Sequence, residues 1–186
     1  MTIATTMAGE LWARVTPADP GASGKYDLGM KRTPTTPTTT PDQAIYFTLT
    51  VDATGGAETI DVNLNTFQTG TVSGNITIAG TPNASAAGDD ADGVAMDLTK
   101  INGIRIVAEP GATAAGQVTW EPSGDAESWT TGPISGTTEI TAGAKRGVTQ
   151  MEDVTGWTVA SGDGEVQFDV TDGIWTIKVM VVGEKA

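Results

Sequence analysis

The chain has 186 residues, a formal charge of −13 at pH 7, and neither histidine nor cysteine. Without these residue types it lacks the usual general base, the commonest transition-metal ligand, and any thiol or disulfide chemistry. Most hydrolytic arrangements are therefore excluded, although chemistry by carboxylates alone is not. The strongly acidic charge disfavours binding to nucleic acid or to an anionic membrane.

Residues 1–42 differ from the rest of the chain and predict an extended arm. Up to residue 40 they hold four basic and three acidic residues, a net charge of +1, whereas the remaining six basic and twenty acidic residues give −14. The run KRTPTTPTTTP, from Lys31 to Pro41, favours polyproline II and has nothing apolar to bury. A disordered terminus is the alternative.

Isolated apolar side chains along this arm argue against simple disorder, because aromatic residues are uncommon in segments that stay disordered. They are too sparse to build a core of their own, and we expect them to anchor the arm to a partner. The six anchors are Leu11, Trp12, Val15, Tyr26, Leu28 and Met30.

The body, residues 43–186, alternates apolar and polar residues in a way that predicts strands. QAIYFTLTVD alternates with period two, and ETIDVNLNTF does so again through Leu64 after a TGG turn, so the two segments predict a hairpin. GNITIAG, DLTKINGIRIVAEPG and GQVTWEPSG predict three further strands. GTTEITAGAKRGVTQMED predicts one or two short strands around a glycine turn.

The C-terminal stretch GWTVASGDGEVQFDVTDGIWTIKVMVVG predicts three strands separated by SGDG and TDG turns. The last of them is apolar on both faces, with Trp175, Ile177, Val179 and Val181 on one and Ile174, Met180 and Val182 on the other. Such a strand is central in its sheet or also meets a partner. About eight to ten short strands without a convincing helix predict an all-β antiparallel sandwich, jelly-roll-like, with an extended N-terminal arm.

Clusters of acidic residues do not form a recognisable site. The stretch DDADGVAMD, from Asp89 to Asp97, lacks the spacing of a calcium loop and is interpreted as a solvated acidic loop. Some pair of the many carboxylates in the body will lie close together by chance, so a glycosidase pair is not inferred. The sequence therefore predicts no catalytic residue, no metal site and no cofactor.

The tryptophans are the remaining candidates for a contact site. Trp120 and Trp157 fall at alternating strand positions, which favours the core over carbohydrate stacking. Trp129 lies in the polar stretch AESWTTGP, which makes it the best candidate for an exposed contact.

The first residues, MTIATTMAGELWARV, do not resemble a secretory signal. No apolar run approaches the roughly 18 residues that span a bilayer. We therefore expect a protein made in a cytoplasm, without a membrane partner.

Residues 97–183 resemble small β-sandwich structural proteins of tailed bacteriophages, among them the decoration or cement proteins of capsids. The resemblance runs through DLTKINGIRIVAEPG, GQVTWEPSG, ITAGAKRGVTQMEDVTGWTV and TIKVMVVG, and DVTGWTV is its most telling part. It implies a non-enzymatic role and carries over no catalytic residues.

The expected function is that of a virion structural protein, made in the host cytoplasm, that decorates the outside of a phage head. Its expected partners are the major capsid protein or other virion subunits, and further copies of itself on the lattice. The alternatives are a carbohydrate- or receptor-binding module of a phage fibre or surface protein, a tail or neck component, and a glycoside-processing enzyme. An exposed row of tryptophans would favour the first of these alternatives.

Overall fold

The computed structural model describes residues 2–7, 11–16, 43–83, 86–89, 93–111, 115–122, 129, 132, 138–141, 147–160 and 164–185. The regular structure of these residues is entirely β-strand, which confirms the predicted all-β class. The strands in chain order are β1 (Thr2–Met7), β2 (Leu11–Thr16), β3 (Gln43–Asp52), β4 (Glu58–Asn63), β5 (Ile76–Gly80), β6 (Leu98–Pro110), β7 (Ala115–Pro122), β8 (Thr138–Thr141), β9 (Gly147–Thr158), β10 (Glu165–Asp172) and β11 (Ile174–Lys185).

Strands β3 to β11 form the predicted sandwich of two antiparallel sheets. One sheet has the order β5-β3-β11-β6-β9 and the other the order β4-β10-β7-β8. Strands β3, β4, β6 and β7 pair in turn with β11, β10, β9 and β8, so the first half of the body lies antiparallel to the second half. A long two-stranded ribbon wound across two sheets in this way is a jelly roll. Strand β5 is an additional edge strand beside β3.

The predicted hairpin between QAIYFTLTVD and ETIDVNLNTF is wrong. Strand β3 lies in the five-stranded sheet and pairs with β5 and β11, whereas β4 lies in the other sheet and pairs with β10. The second segment also ends earlier than its alternation predicts, because β4 stops at Asn63 and Leu64 begins a turn. Apolar alternation shows that a segment is a half-buried strand, but it does not identify the partner of that strand.

Two further strands lie within the segment that the sequence predicts to be an extended arm. Strands β1 and β2 form an antiparallel hairpin whose register runs from Thr2 opposite Thr16 to Met7 opposite Leu11. The sequence pattern did not predict this pairing. Residues 17–42 lie outside the described residues.

Alternate residues of the two sheets meet in one apolar core. Strand β11 lies between β3 and β6, which confirms the prediction that the last strand is central in its sheet. Trp120 of β7 and Phe168 of β10 stack with ring centroids 6.5 Å apart. The inward residues of the main strands are fully or almost fully buried: Ile45, Phe47, Leu49 and Val51 on β3, Trp175, Ile177, Val179 and Val181 on β11, and Val166, Phe168 and Val170 on β10.

A carboxylate on β4 joins the two sheets at the edge of the sandwich. The Glu58 carboxylate accepts hydrogen bonds from Asn75 Nδ2 and from Ser73 Oγ, both at 2.6 Å. Both donors lie just before β5, the edge strand of the opposite sheet. The hydrogen bond from Asn75, followed by that from Ser73, holds the pKa of Glu58 below its usual value of 4.5.

We expect Glu58→Gln to lower the free energy of unfolding at neutral pH and to lose this effect in acid. The pKa of Glu58 is lower in the folded chain than in the unfolded chain. The contribution of the Glu58 carboxylate to the free energy of unfolding is therefore complete above the unfolded-state pKa. This contribution disappears as the pH falls through the folded-state pKa. Urea denaturation of the variant and the wild type at neutral pH and near pH 3 measures the difference.

Asp97→Asn is the matched control for this prediction, because it removes the same charge from an exposed position. It should change stability little at either pH. A gap between wild type and Glu58→Gln that is as wide in acid as at neutral pH would contradict the proposed linkage.

Candidate interaction surface

The outer face of the four-stranded sheet is polar and acidic. On β10 the outward residues Glu165, Gln167 and Asp169 are each partly exposed. The carboxylate of Asp61 on β4 accepts a hydrogen bond from Gln167 Nε2 at 2.8 Å. The carboxylate of Asp169 accepts one from the Thr59 hydroxyl. None of these five residues is basic, so the face that they form suits contact with water more than contact with an acidic neighbour.

The outer face of the five-stranded sheet has a different character at one end. Ala44 and Val107 are only 2% exposed, Val182 3%, Met180 4% and Arg105 8%, although their strand positions point them away from the core. The register places Val182 beside Ala44, and Met180 beside Arg105. These five residues are termed the covered patch below.

The covered patch lies at the end of the sheet where β3 begins. Along β3 the outward positions change from buried at Ala44 to exposed at Thr50. Toward the same far end, Lys178 of β11 and Glu109 of β6 form an ion pair at 2.6 Å, with 33% and 32% of their side chains exposed. The outer face therefore changes from apolar and covered to polar and open within one sheet.

Two carboxylates have a lowered pKa because each accepts hydrogen bonds from a threonine two residues further along the chain. Asp52 Oδ1 accepts hydrogen bonds from the hydroxyl and the N–H of Thr54 at 2.5 and 3.1 Å. Asp153 Oδ1 accepts the same pair of hydrogen bonds from Thr155 at 2.6 and 2.7 Å. These contacts hold the pKa of both carboxyls below the ordinary value of 3.8. A general acid at neutral pH needs a raised pKa, so neither group suits that role.

The predicted acidic loop is open to solvent where it is described. Asp89 and Asp97 are both exposed, and Asp89 forms an isolated antiparallel bridge with Ala95. Asp90 and Asp92 lie outside the described residues. Across the described parts of the chain, no group of three or more acidic side chains is arranged to hold a metal ion.

The structure corrects the prediction that Trp129 is an exposed contact. Trp129 is completely buried, and its indole N–H donates to the carbonyl oxygen of Thr158 at 2.9 Å. Its ring meets that of Trp157 edge to face, with centroids 6.4 Å apart. Gly132 lies so close that a Cβ there would be 2.5 Å from the Trp129 ring. The polar neighbours of Trp129 in the sequence therefore gave no indication that it is a core residue.

The predicted anchors of the arm divide into two groups. The first group belongs to β2 and consists of Leu11, Trp12 and Val15. The structure describes the backbone of this strand but not the surroundings of its side chains. The other three, Tyr26, Leu28 and Met30, lie outside the described residues. Their role as partner-binding residues stays a prediction.

The sequence pattern pointed to only part of the covered patch. It placed Met180 and Val182 on a second apolar face of β11, which is the face that the structure places in the patch. It missed Ala44, Val107 and Arg105. Val107 gave a usable signal, because it continues the apolar run of β6 at an outward position.

Comparison with known proteins gives no further assignment, since no protein-family model and no curated protein matches this chain. Within the described residues there is also no helix that is both long and apolar enough to cross a membrane.

Proposed function

We propose that this protein is a non-enzymatic structural protein of a virion, and that it decorates the outer surface of a tailed-phage head. Its sandwich sits on the lattice, and residues 1–42 bridge neighbouring capsid subunits. The partners are the major capsid protein or other virion subunits.

The observation that carries this proposal is the contrast between the two outer faces of the sandwich. The four-stranded sheet presents acidic and amide side chains, as a face in permanent contact with water does. The five-stranded sheet instead concentrates apolar residues at the end where residues 1–42 join β3. The molecule is therefore two-sided, and the apolar end of its second side lies where the segment proposed to bridge capsid subunits joins the sandwich.

Two further features support the same class of function. The jelly roll is an architecture found in capsid proteins as well as in lectins and cupins, so it is compatible with a virion role. The resemblance of residues 97–183 to phage structural proteins points in the same direction. Many copies on one lattice would also add avidity to a weak contact made by each arm.

The carbohydrate-binding alternative has less support. Trp120, Trp129 and Trp175 are completely buried, and Trp157 is partly buried against the core. Sugar-binding surfaces need aromatic rings that are open to solvent. The tryptophans whose side chains are described therefore do not form the exposed row that this alternative requires.

The decisive experiment is binding to heads assembled from a major capsid protein, whose gene we expect to lie beside the gene for this chain. The full-length protein should co-sediment with such heads until the sites are saturated. Deletion of residues 1–42 should weaken this attachment by roughly 100-fold or more, because each buried aromatic anchor contributes about 1.5–3 kcal/mol and avidity multiplies the effect. Circular dichroism should still show a β-dominated, folded sandwich.

Asp61→Asn on the four-stranded sheet is the control, and it should bind heads like the wild type. The proposal fails if the full-length protein does not bind the heads, or if the truncated protein occupies them with equal affinity. If the truncated protein does not fold, residues 1–42 belong to the core and the domain boundary at residue 42 is wrong.

A further inference from the structure

One dipeptide of strand β6 is chemically labile. Of the five asparagines in the chain, Asn102 alone precedes a glycine. The backbone nitrogen of the following residue can attack the side-chain amide of an asparagine, and glycine permits this attack most readily because it has no side chain and the freest backbone. Asparagine is among the thermolabile residues of proteins. The pair Asn102-Gly103 is therefore the place where the unfolded chain loses an amide most easily.

The reaction at Asn102 has two steps. The Gly103 nitrogen forms a bond with Cγ of Asn102, its proton passes to the side-chain nitrogen, and that nitrogen leaves as ammonia. The product is a succinimide ring. Water then opens the ring at either of its carbonyl carbons, which leaves aspartate or isoaspartate at position 102. In both products a carboxylate replaces a neutral amide, and isoaspartate also lengthens the backbone by a carbon atom.

The fold holds this position closed on both sides. Asn102 is the extra residue of a bulge, and the residues before and after it, Ile101 and Gly103, each pair with β11 and with β9. Only 3% of Asn102 is exposed. Attack by the Gly103 nitrogen requires a backbone rotation that pairing with strands on both sides prevents. The folded chain should consequently keep the amide until β6 separates from a neighbouring strand.

The surroundings of the Asn102 amide suit a neutral donor. Its Nδ2 donates to Glu184 Oε1 at 3.3 Å. On the side of β9, a Cβ at Gly156 would lie 3.1 Å from the same Nδ2 atom, so this strand packs tightly against the amide. Lys100, whose Nζ lies 3.6 Å from Glu184 Oε2, already pairs with that carboxylate. A carboxylate at position 102 would therefore replace a donor by a second negative charge, in a place that water scarcely reaches.

We propose that Asn102 is a modification site whose amide is kept while the five-stranded sheet is closed and is lost when β6 opens. Loss of the amide then prevents the strands from closing as before. In aspartate the obstacle is the buried charge, and in isoaspartate the longer backbone also displaces the register. Modified chains accumulate with time, because each opening of β6 exposes the amide to an irreversible reaction. The proposal concerns the chain itself and does not depend on the proposed virion role.

The wild-type chain is sufficient for the first test, because trypsin cuts after Lys100 and Arg105 and releases residues 101–105. The full-length protein is incubated at mildly alkaline pH, either folded in buffer or unfolded in guanidinium chloride, and mass spectrometry follows the amide of this peptide. Asn102 should lose its amide at least about 100-fold more slowly in the folded chain, because opening of an inner strand is rare. Equal rates in the two states would overturn the proposal. Equal loss at the other four asparagines of the unfolded chain would also overturn it.

The second test measures the consequence of the loss. Asn102→Asp introduces the charged product directly, and it should lower the urea concentration at the midpoint of unfolding or leave the chain unfolded. Gln68→Glu makes the same change from amide to carboxylate at an exposed position, and this control should unfold like the wild type. An unchanged midpoint for Asn102→Asp, together with full refolding of chains deamidated in guanidinium chloride, would show that loss of the amide does not keep the sheet from closing.

Discussion

Gly183→Ala should be among the most destabilising single substitutions in this chain, lowering the free energy of unfolding by about 3 kcal/mol or more. A Cβ at Gly183 would lie 2.2 Å from the carbonyl oxygen of Lys100 and 3.1 Å from Leu98 Cδ2. The nearer atom is backbone of the neighbouring strand β6, which cannot rotate away as a side chain can. Relief requires β6 and β11, two neighbouring inner strands of the five-stranded sheet, to separate close to the end where Lys185 pairs with Leu98.

Gly74→Ala is the matched control, because nothing lies within 4 Å of a Cβ at Gly74. It should be neutral, or stabilising by about 0.4–1 kcal/mol through the lower entropy of the unfolded chain. Urea denaturation of the two variants provides the comparison. Equal stability of Gly183→Ala and the wild type would show that the two strands are not in such close contact at this position.

The location of Gly183 illustrates what the sequence could and could not predict. The apolar residues on both faces of β11 predicted a central strand, and the structure confirms it. The register of that strand was not predictable. Its pairing with β6 shifts between Val182 and Gly183, where Asn102 becomes an extra residue opposite them. Such a bulge depends on contacts between segments about eighty residues apart, which local periodicity does not encode.

The strand partners were beyond sequence reasoning for the same reason. Alternation located most of the strands, because a half-buried strand must place apolar side chains at every second position. The jelly-roll ladders join β3 to β11 and β4 to β10, at opposite ends of the body. A TGG turn between two alternating segments suggested a hairpin, but the chain uses that turn to cross between sheets.

The candidate surface was only partly predictable because the alternation of a strand does not show whether its outward face is exposed. Met180 and Val182 showed an apolar second face, whereas Arg105 is charged and gave no sign that it would be 8% exposed. The prediction for Trp129 was wrong, because its polar neighbours in the sequence suggested exposure whereas the side chain is buried. For Trp129 the deciding contacts are tertiary ones, with Thr158 and with the ring of Trp157.

Truncation of the Phe67 side chain should also lower the free energy of unfolding strongly. The backbone conformation of Phe67 further decides whether alanine or glycine is the better replacement. Phe67 has a φ of 56°, in the left-handed region that residues other than glycine rarely adopt. It ends a turn in which Asn63 Oδ1 accepts the backbone N–H groups of Asn65 and Thr66 at 2.9 and 3.2 Å. The Phe67 N–H donates to the carbonyl oxygen of Asn63 at 2.6 Å. This turn stops β4 although Leu64 continues its alternation.

The side chain of Phe67 offsets the cost of that conformation. It is completely buried and meets the ring of Phe47 edge to face, with centroids 5.9 Å apart. Phe67→Ala should therefore lower the free energy of unfolding by about 3–5 kcal/mol. Combining it with Phe47→Ala should give a coupling of about 0.5–1.5 kcal/mol, as expected for a direct aromatic pair. Additive losses would show that the two rings do not interact.

Phe67→Gly distinguishes the backbone effect from the lost side chain. Glycine normally costs about 0.5–1 kcal/mol more than alanine, because its unfolded chain has more freedom. At φ 56° an alanine retains a left-handed strain of about 1–2 kcal/mol that glycine avoids. The strain is at least as large as the entropy term, so Phe67→Gly should be as stable as Phe67→Ala or more stable. Thermal and urea unfolding of both variants test this order, and a glycine variant clearly weaker than the alanine variant would mean that Phe67 is not held in the left-handed region.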